Sequence, residues 1–179
     1  MWTDRQGQKA FYGCRSIVNV VLPNNVETIG IKAFSNCKFL GAVTLPDGIN
    51  ALGSCVFADC DALTMINLPN SILSIGAAAF SRCFALNGVT LPSNITAVEG
   101  DLFDRCKSLT DIVIPDGVVS VGYDAFYLCE GLKHITIPKS VTSIAADAFS
   151  YCKGFVVRCF EDSYAHKHAI KRKWKLELL

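Results

Sequence analysis

Apolar and polar positions along this chain repeat with a fixed period of 23 residues. The clearest markers are Phe-x-x-Cys, starting at Phe11, Phe34, Phe57, Phe80, Phe103, Phe126 and Phe149, and the prolines Pro23, Pro46, Pro69, Pro92, Pro115 and Pro138. No insertion or deletion interrupts either series. With proline as position 1 the repeat reads P-x-x-[VI]-x-x-[ILV]-G-x-x-A-F-x-x-C-x-x-L-x-x-[VI]-x-[LI], and Pro69–Leu91, PNSILSIGAAAFSRCFALNGVTL, shows it most fully. Apolar positions 21 and 23, such as Val43 and Leu45, alternate with an outward position between them, and this predicts a strand. Proline then ends the strand because it has no N–H to give to a ladder. Positions 4 and 7, such as Ile72 and Ile75, predict a second, shorter strand. Gly30, Gly53, Gly76 and Gly122 follow at position 8, where a turn dihedral that other residues resist is the expected reason for glycine. Positions 7, 11, 15 and 18 (Ile75, Ala79, Cys83 and Leu86) have the spacing of one helical face, so each unit is expected to close with a short helix or a 3₁₀ turn.

A unit of this size cannot bury its own apolar face, but stacked units can. The predicted fold is therefore a repeat solenoid of short parallel strands with short helices or 3₁₀ turns. Its coils lie about 4.8 Å apart, so that each repeat position becomes a column, phenylalanine on phenylalanine and cysteine on cysteine.

The segments LPDGINALGSCVFADC, LPNSILSIGAAAFSRC and IPKSVTSIAADAFSYC resemble the BspA-type leucine-rich repeat, and the resemblance covers roughly residues 9–160. It implies a curved right-handed superhelix with a parallel sheet on one face. It also implies an extracellular or cell-surface, bacterial setting and a non-enzymatic role in adhesion or protein–protein interaction. The alternative role is a structural spacer that carries a separate functional domain.

The two ends depart from the repeat. Residues 161–179 are expected to form a capping helix and strand, with Ser163 as helix N-cap and Trp174, Leu176 and Leu178 alternating as a strand. In FVVRCF, the preceding strand, the strict period places Arg158 where an apolar residue normally sits. Residues 1–8 read as an N-terminal extension or truncated coil. Because Lys9–Cys14 already match the middle of a repeat, the chain reads as a fragment of a longer protein, with an irregular cap built around Trp2 as the other reading.

Composition sharpens this picture in three ways. Charged residues are only 18% of the chain and half of all residues are apolar, which requires extensive burial or an unusually neutral surface. A net charge of +1 gives no global field toward nucleic acid or an anionic membrane, and no apolar run is long enough for a membrane span. Seven of the nine cysteines share one inward column, where they read as small buried hydrophobes rather than as a disulfide framework.

Candidate chemistry is sparse. Cys152, Cys159, His166 and His168 have no standard zinc spacing, and no metal or cofactor is expected. Asp101, Asp124 and Asp147 share position 10 and read as exposed acids at helix starts rather than as a catalytic pair, so no catalytic residue is assigned. Lys171–Lys175 reads as the charged end of the capping helix. The residues flanking position 21 should face outward in a neutral, threonine-rich strip. Met65, Asn67, Asp111, His134 and Thr136 on that strip are the expected contacts for a protein partner, since Met65, Asp111 and His134 depart most from the regular ladder. Phe39, Phe84, Tyr123, Tyr127 and Tyr151 form a possible second surface or pack between loops.

Overall fold

The computed structural model describes residues 8–179. The readings placed on the first seven residues, including the Trp2 cap, lie outside the described residues. From Gln8 onward the chain winds as a parallel-strand solenoid of about 7 turns of about 23 residues.

Successive turns supply β1 (Asn19–Val21) and β2 (Thr28–Ile29), β3 (Ala42–Thr44) and β4 (Ala51–Leu52), and β5 (Met65–Asn67) and β6 (Ser74–Ile75). They continue with β7 (Gly88–Thr90) and β8 (Ala97–Val98), β9 (Asp111–Val113) and β10 (Ser120–Val121), β11 (His134–Ile137) and β12 (Ser143–Ile144), and then β13 (Val156–Cys159). Helix α1 (Tyr164–Arg172) and strand β14 (Lys175–Leu178) end the chain. The odd-numbered strands pair in parallel on one face and the even-numbered short strands on another. The pairing register equals the sequence period, for example Ile66 against Val89 and Leu52 against Ile75.

On the third side of each coil, of the two expected forms, the turn and not the helix is found. Positions 7, 11, 15 and 18 are buried, as in Ile75, Ala79, Cys83 and Leu86. Yet no helix joins them; the segment is a run of tight turns. Within a coil, alternate amides close four-residue turns, Ser81 N to Ala78 O and Cys83 N to Phe80 O, at 3.1 and 3.2 Å. The amides between them reach the next coil: Ala78 N to Gly100 O at 2.9 Å, Phe80 N to Leu102 O at 3.0 Å and Arg82 N to Asp104 O at 2.6 Å. This alternation puts positions 10 and 14 at positive φ, as at Ala78 (57°), Arg82 (62°), Asp101 (57°) and Arg105 (56°). A helix would keep all those amides within its own coil, whereas here half of them bind coil to coil.

The position-8 glycines serve a different purpose from the one expected. None of them is at positive φ. A β-carbon on Gly76 would stand 2.4 Å from the Ser54 amide nitrogen, and one on Gly53 2.6 Å from that of Ile31. Glycine here permits close approach of adjacent coils.

Between the three sides runs one continuous core. Seven phenylalanine rings, Phe11 through Phe149, stack at centroid distances of 5.0–5.8 Å, within the favourable range for offset aromatic pairs. The cysteine column carries more than apolar bulk. Each thiol donates to the carbonyl of the phenylalanine one coil earlier, from Cys37 to Phe11 O (3.0 Å) through Cys83 to Phe57 O (3.1 Å) to Cys152 to Phe126 O (2.9 Å). All nine cysteines are unpaired. Burial pushes the Cys60 thiol up to about 12 and those of Cys37, Cys83, Cys106 and Cys159 above the ordinary range. Iodoacetamide at pH 8 is therefore expected to alkylate the partly exposed Cys14, Cys55 and Cys152 in the native chain. Peptide mass spectrometry should find Cys60, Cys83 and Cys106 modified only after denaturant is added. Rapid native labelling of Cys83 would contradict the inward ladder.

The last coil is one residue short. Val157 pairs with Ile135 and Cys159 with Ile137, so Val157 and Cys159 point inward, fully buried, and Arg158 faces out. The strict period places Arg158 in the inward row, and the shortened register removes that conflict. Ser163 caps α1 by accepting the His166 N–H at 3.1 Å, and Lys173 ends the helix in the left-handed region at φ 58°. Trp174 then lies against Phe149 and Phe155 at 5.1 and 5.3 Å.

Candidate functional site

The long-strand sheets present their outward side chains in two parallel rows. One row runs Asn19, Ala42, Met65, Gly88 and then Asp111, His134, Val156, Lys175. The other runs Val21, Thr44, Asn67, Thr90 and then Val113, Thr136, Arg158, Glu177. The five residues singled out from the sequence all lie in these rows. Met65, Asn67 and Asp111 are exposed, while His134 and Thr136 are half-buried. They fall on two sheets rather than one. Met65 and Asn67 belong to the sheet β1–β3–β5–β7, whereas Asp111, His134 and Thr136 belong to β9–β11–β13–β14.

Parallel pairing sets Asp111 beside His134, and the register brings Oδ1 of Asp111 to 2.8 Å from Nδ1 of His134. The Thr110 hydroxyl, and then the His134 ring, hold the Asp111 carboxyl below its ordinary range. One coil further along the other row, Arg158 Nε donates to Glu177 Oε2 at 2.7 Å. The sequence reading missed Arg158 and Glu177 because the strict period turned Arg158 inward. The apolar alternation of Val157 and Cys159 was the available signal for the slipped register.

The face is chemically divided. Toward the N-terminal end it is apolar and neutral, with Val21 (77% exposed) and Met65 (66%). Toward the C-terminal end it carries Asp111, His134, Arg158, Lys175 and Glu177. These groups can bind and orient a polar partner. Nothing in the rows pairs a nucleophile with a general base, and both contacts, Asp111–His134 and Arg158–Glu177, join neighbouring strands on the outer surface.

The remaining candidates separate. Cys152 donates to Phe126 O, Cys159 is buried, His166 accepts the Asp162 N–H through Nδ1 at 3.0 Å, and the His168 ring lies 5.2 Å from that of Trp174. Asp101 and Asp124 do not start helices. They occupy left-handed turn positions, which aspartate tolerates well. Partial burial and neighbouring carboxylates, Asp104 for Asp101 and Asp147 for Asp124, raise their pKa values. Lys171 and Arg172 form the last turn of α1, and Arg172 donates to Ala146 O. Among the aromatics, Phe39, Tyr123 and Tyr151 are exposed. Phe84 and Tyr127 are half-buried, with Arg105 5.1 Å from the Tyr127 ring centroid and Tyr151 packed edge-on against it at 5.2 Å.

The profile of the BspA type leucine rich repeat region matches residues 5–129 and 96–164, in six copies. The chain belongs to the BspA-type leucine-rich repeat family. Proteins of this family are typically non-enzymatic, and their repeats point to a protein-interaction module. Solved structures of other such repeats are similar to it. A leucine-rich repeat protein of T. pallidum is 30% identical with TM-score 0.79, the match covering 95% of this chain and 77% of that one. One from Eubacterium ventriosum is 27% identical with TM-score 0.72, over 80% of this chain and 39% of that one. A leucine rich cell surface protein from Faecalibacterium prausnitzii is 25% identical with TM-score 0.57, over 90% of this chain and 64% of that one. The match thus spans less than two thirds of the last two proteins. No protein of curated description matches the chain in sequence. Among the described residues of this BspA-type solenoid, no helix is long and apolar enough to cross a membrane.

Proposed function

We propose that this chain is a non-enzymatic recognition module that binds a protein partner through the outward rows of its long-strand face, in a surface or adhesion setting. The observation that carries the reading is the departure of these rows from a plain neutral ladder. An exposed Met65 stands in the same row as a hydrogen-bonded Asp111–His134 pair, and Arg158–Glu177 stands beside it. Exposed Met and Arg side chains are enriched at protein interfaces, and the hydrogen-bonded pairs in these rows give fixed directions for recognition. The cell-surface description of the Faecalibacterium prausnitzii relative supports the extracellular setting.

The test is binding of the purified chain to an array of extracellular-matrix and cell-surface proteins, with Met65→Ala, Asp111→Ala and His134→Ala alongside. Saturable binding weakened about tenfold by each change, roughly 1.4 kcal/mol, is the expected result. Binding unaffected by all three would move the site off this face. No binding at all would favour the structural spacer.

A further inference from the structure

Both strand ladders stop at the same coil boundary. The long-face strands form two sheets, split between β7 and β9, and the short-face strands form two sheets, split between β6 and β8. Elsewhere on the strand sides, amides at positions 5 and 8 cross from each coil to the one before, and so do those at position 19 except at Thr64. Leu73 N reaches Asn50 O, Gly76 N reaches Leu52 O and Asn87 N reaches Thr64 O, at 2.8–3.0 Å. The same positions one coil after the split repeat the pattern, with Val119 N to Thr96 O, Gly122 N to Val98 O and Lys133 N to Thr110 O at 2.7–2.9 Å. At the split itself the equivalent amides are those of Thr96, Glu99 and Thr110. Among the described residues no backbone hydrogen bond joins them to the preceding coil. Val89 is correspondingly half-buried, whereas Val43, Ile66, Ile112, Ile135 and Val157 in the same inward column are buried. β7 and β9 remain packed side by side, while the strand-side hydrogen bonds across the boundary are made at the proline turns, Asn70 Oδ1 accepting from Ser93 N (2.9 Å) and Asn94 Nδ2 donating to Asn70 O (2.7 Å).

The turn side is unbroken at that boundary. Ala78, Phe80 and Arg82 donate across it, Phe80 and Phe103 stack at 5.6 Å, Cys106 donates to Phe80 O at 3.2 Å, and the Ser81 hydroxyl donates to Asp104 at 3.0 Å. One side is zipped while the two others are open. At this boundary Glu99 occupies position 8, where Gly53, Gly76 and Gly122 lie against the preceding coil. Ala145 occupies the same position two coils later and keeps its bond to Val121 O at 2.9 Å, so a β-carbon alone is compatible with the ladder.

We infer that the junction between the coil ending at Leu91 and the coil starting at Pro92 is a hinge, pivoting on the turn side and opening on the strand sides, with Glu99 in place of the glycine that elsewhere lets the coils close. Two rigid blocks, one carrying β1–β7 and the other β8–β14, change their mutual angle there while the phenylalanine column stays continuous. The outward rows cross this hinge, with Met65 and Asn67 on one block and Asp111, His134 and Thr136 on the other. A partner that touches both blocks selects one angle; this last consequence rests on the function proposed above, while the hinge itself does not.

The hinge is tested on the full chain without any partner. Residual dipolar couplings in dilute alignment medium are expected to need two alignment tensors of different magnitude for the two blocks. Amides of Thr96, Glu99 and Thr110 should exchange with solvent at least about a hundredfold faster than those of Leu73, Gly76 and Asn87, while Ala78, Phe80 and Arg82 stay protected. One tensor fitting the whole solenoid would overturn the hinge, and so would loss of protection on the turn side, which would mean separation of the blocks rather than pivoting. E99A should bring the two tensors together; two unequal tensors persisting in E99A would overturn the role given to Glu99.

Discussion

Phe80→Ala is expected to lower the unfolding free energy by about 3–5 kcal/mol, the usual cost of truncating a fully buried aromatic. Phe80 is wholly buried in the middle of the column, stacked between Phe57 and Phe103 at 5.8 and 5.6 Å. Its neighbours cannot close the space by sliding together, because coil spacing is set by the backbone bonds from Phe57 N to Ala79 O and from Phe80 N to Leu102 O. The void should therefore persist. Phe80 also sits on the turn side of the hinge boundary, the only side there that is continuously hydrogen-bonded between backbones. Removing its ring should weaken coupling between the two blocks as well as total stability. Urea unfolding followed by circular dichroism is expected to show a lower midpoint, with a broadened or two-step transition as the blocks uncouple. A midpoint within experimental error of the parent would mean that the column is not the main source of cohesion.

Trp174→Ala is expected to cost about 3 kcal/mol, confined to the C-terminal end. The indole lies against Phe149, Phe155 and His168, and it stands between the end of α1 and the start of β14. Without it, the last phenylalanines lose their cover and β14 its anchor on the core. Because each coil contacts chiefly its neighbours, the damage should remain local. Hydrogen exchange should show loss of protection in Val156–Cys159 and Lys175–Leu178, with Met65–Asn67 unchanged. Uniform loss of protection along the chain would indicate a single cooperative unit and would contradict the two-block description.

Much of this architecture was legible before any coordinates. The period, the inward columns of Ile66, Cys83 and Leu86, the strand at each position-21 pair and the Ser163 cap all appear where the pattern puts them. The outward setting of Met65, Asn67, Asp111, His134 and Thr136 was also readable, since alternation fixes which face a strand residue takes. Of the short helix or 3₁₀ turn expected on the third side, the structure takes the turn. Buried positions spaced by three and four are produced equally by a helix and by a run of four-residue turns, and the two differ only in where the intervening amides bond. Arg158 was misread because counting by the period cannot see a coil that is one residue short.

The sequence alone thus determined the repeat, the parallel stacking and the composition of the columns through β12, because these follow from periodicity and the need to bury apolar surface. Only the tertiary structure decided what passes between coils. It showed that half the turn amides bond to the next coil, that position-8 glycines lie in close approach to the preceding coil, and that Asp111 and His134 meet at 2.8 Å. It also showed that both ladders open at Glu99. Each of these depends on the distance between residues a full repeat apart, which is set by how adjacent coils pack against one another and is not visible in any single coil.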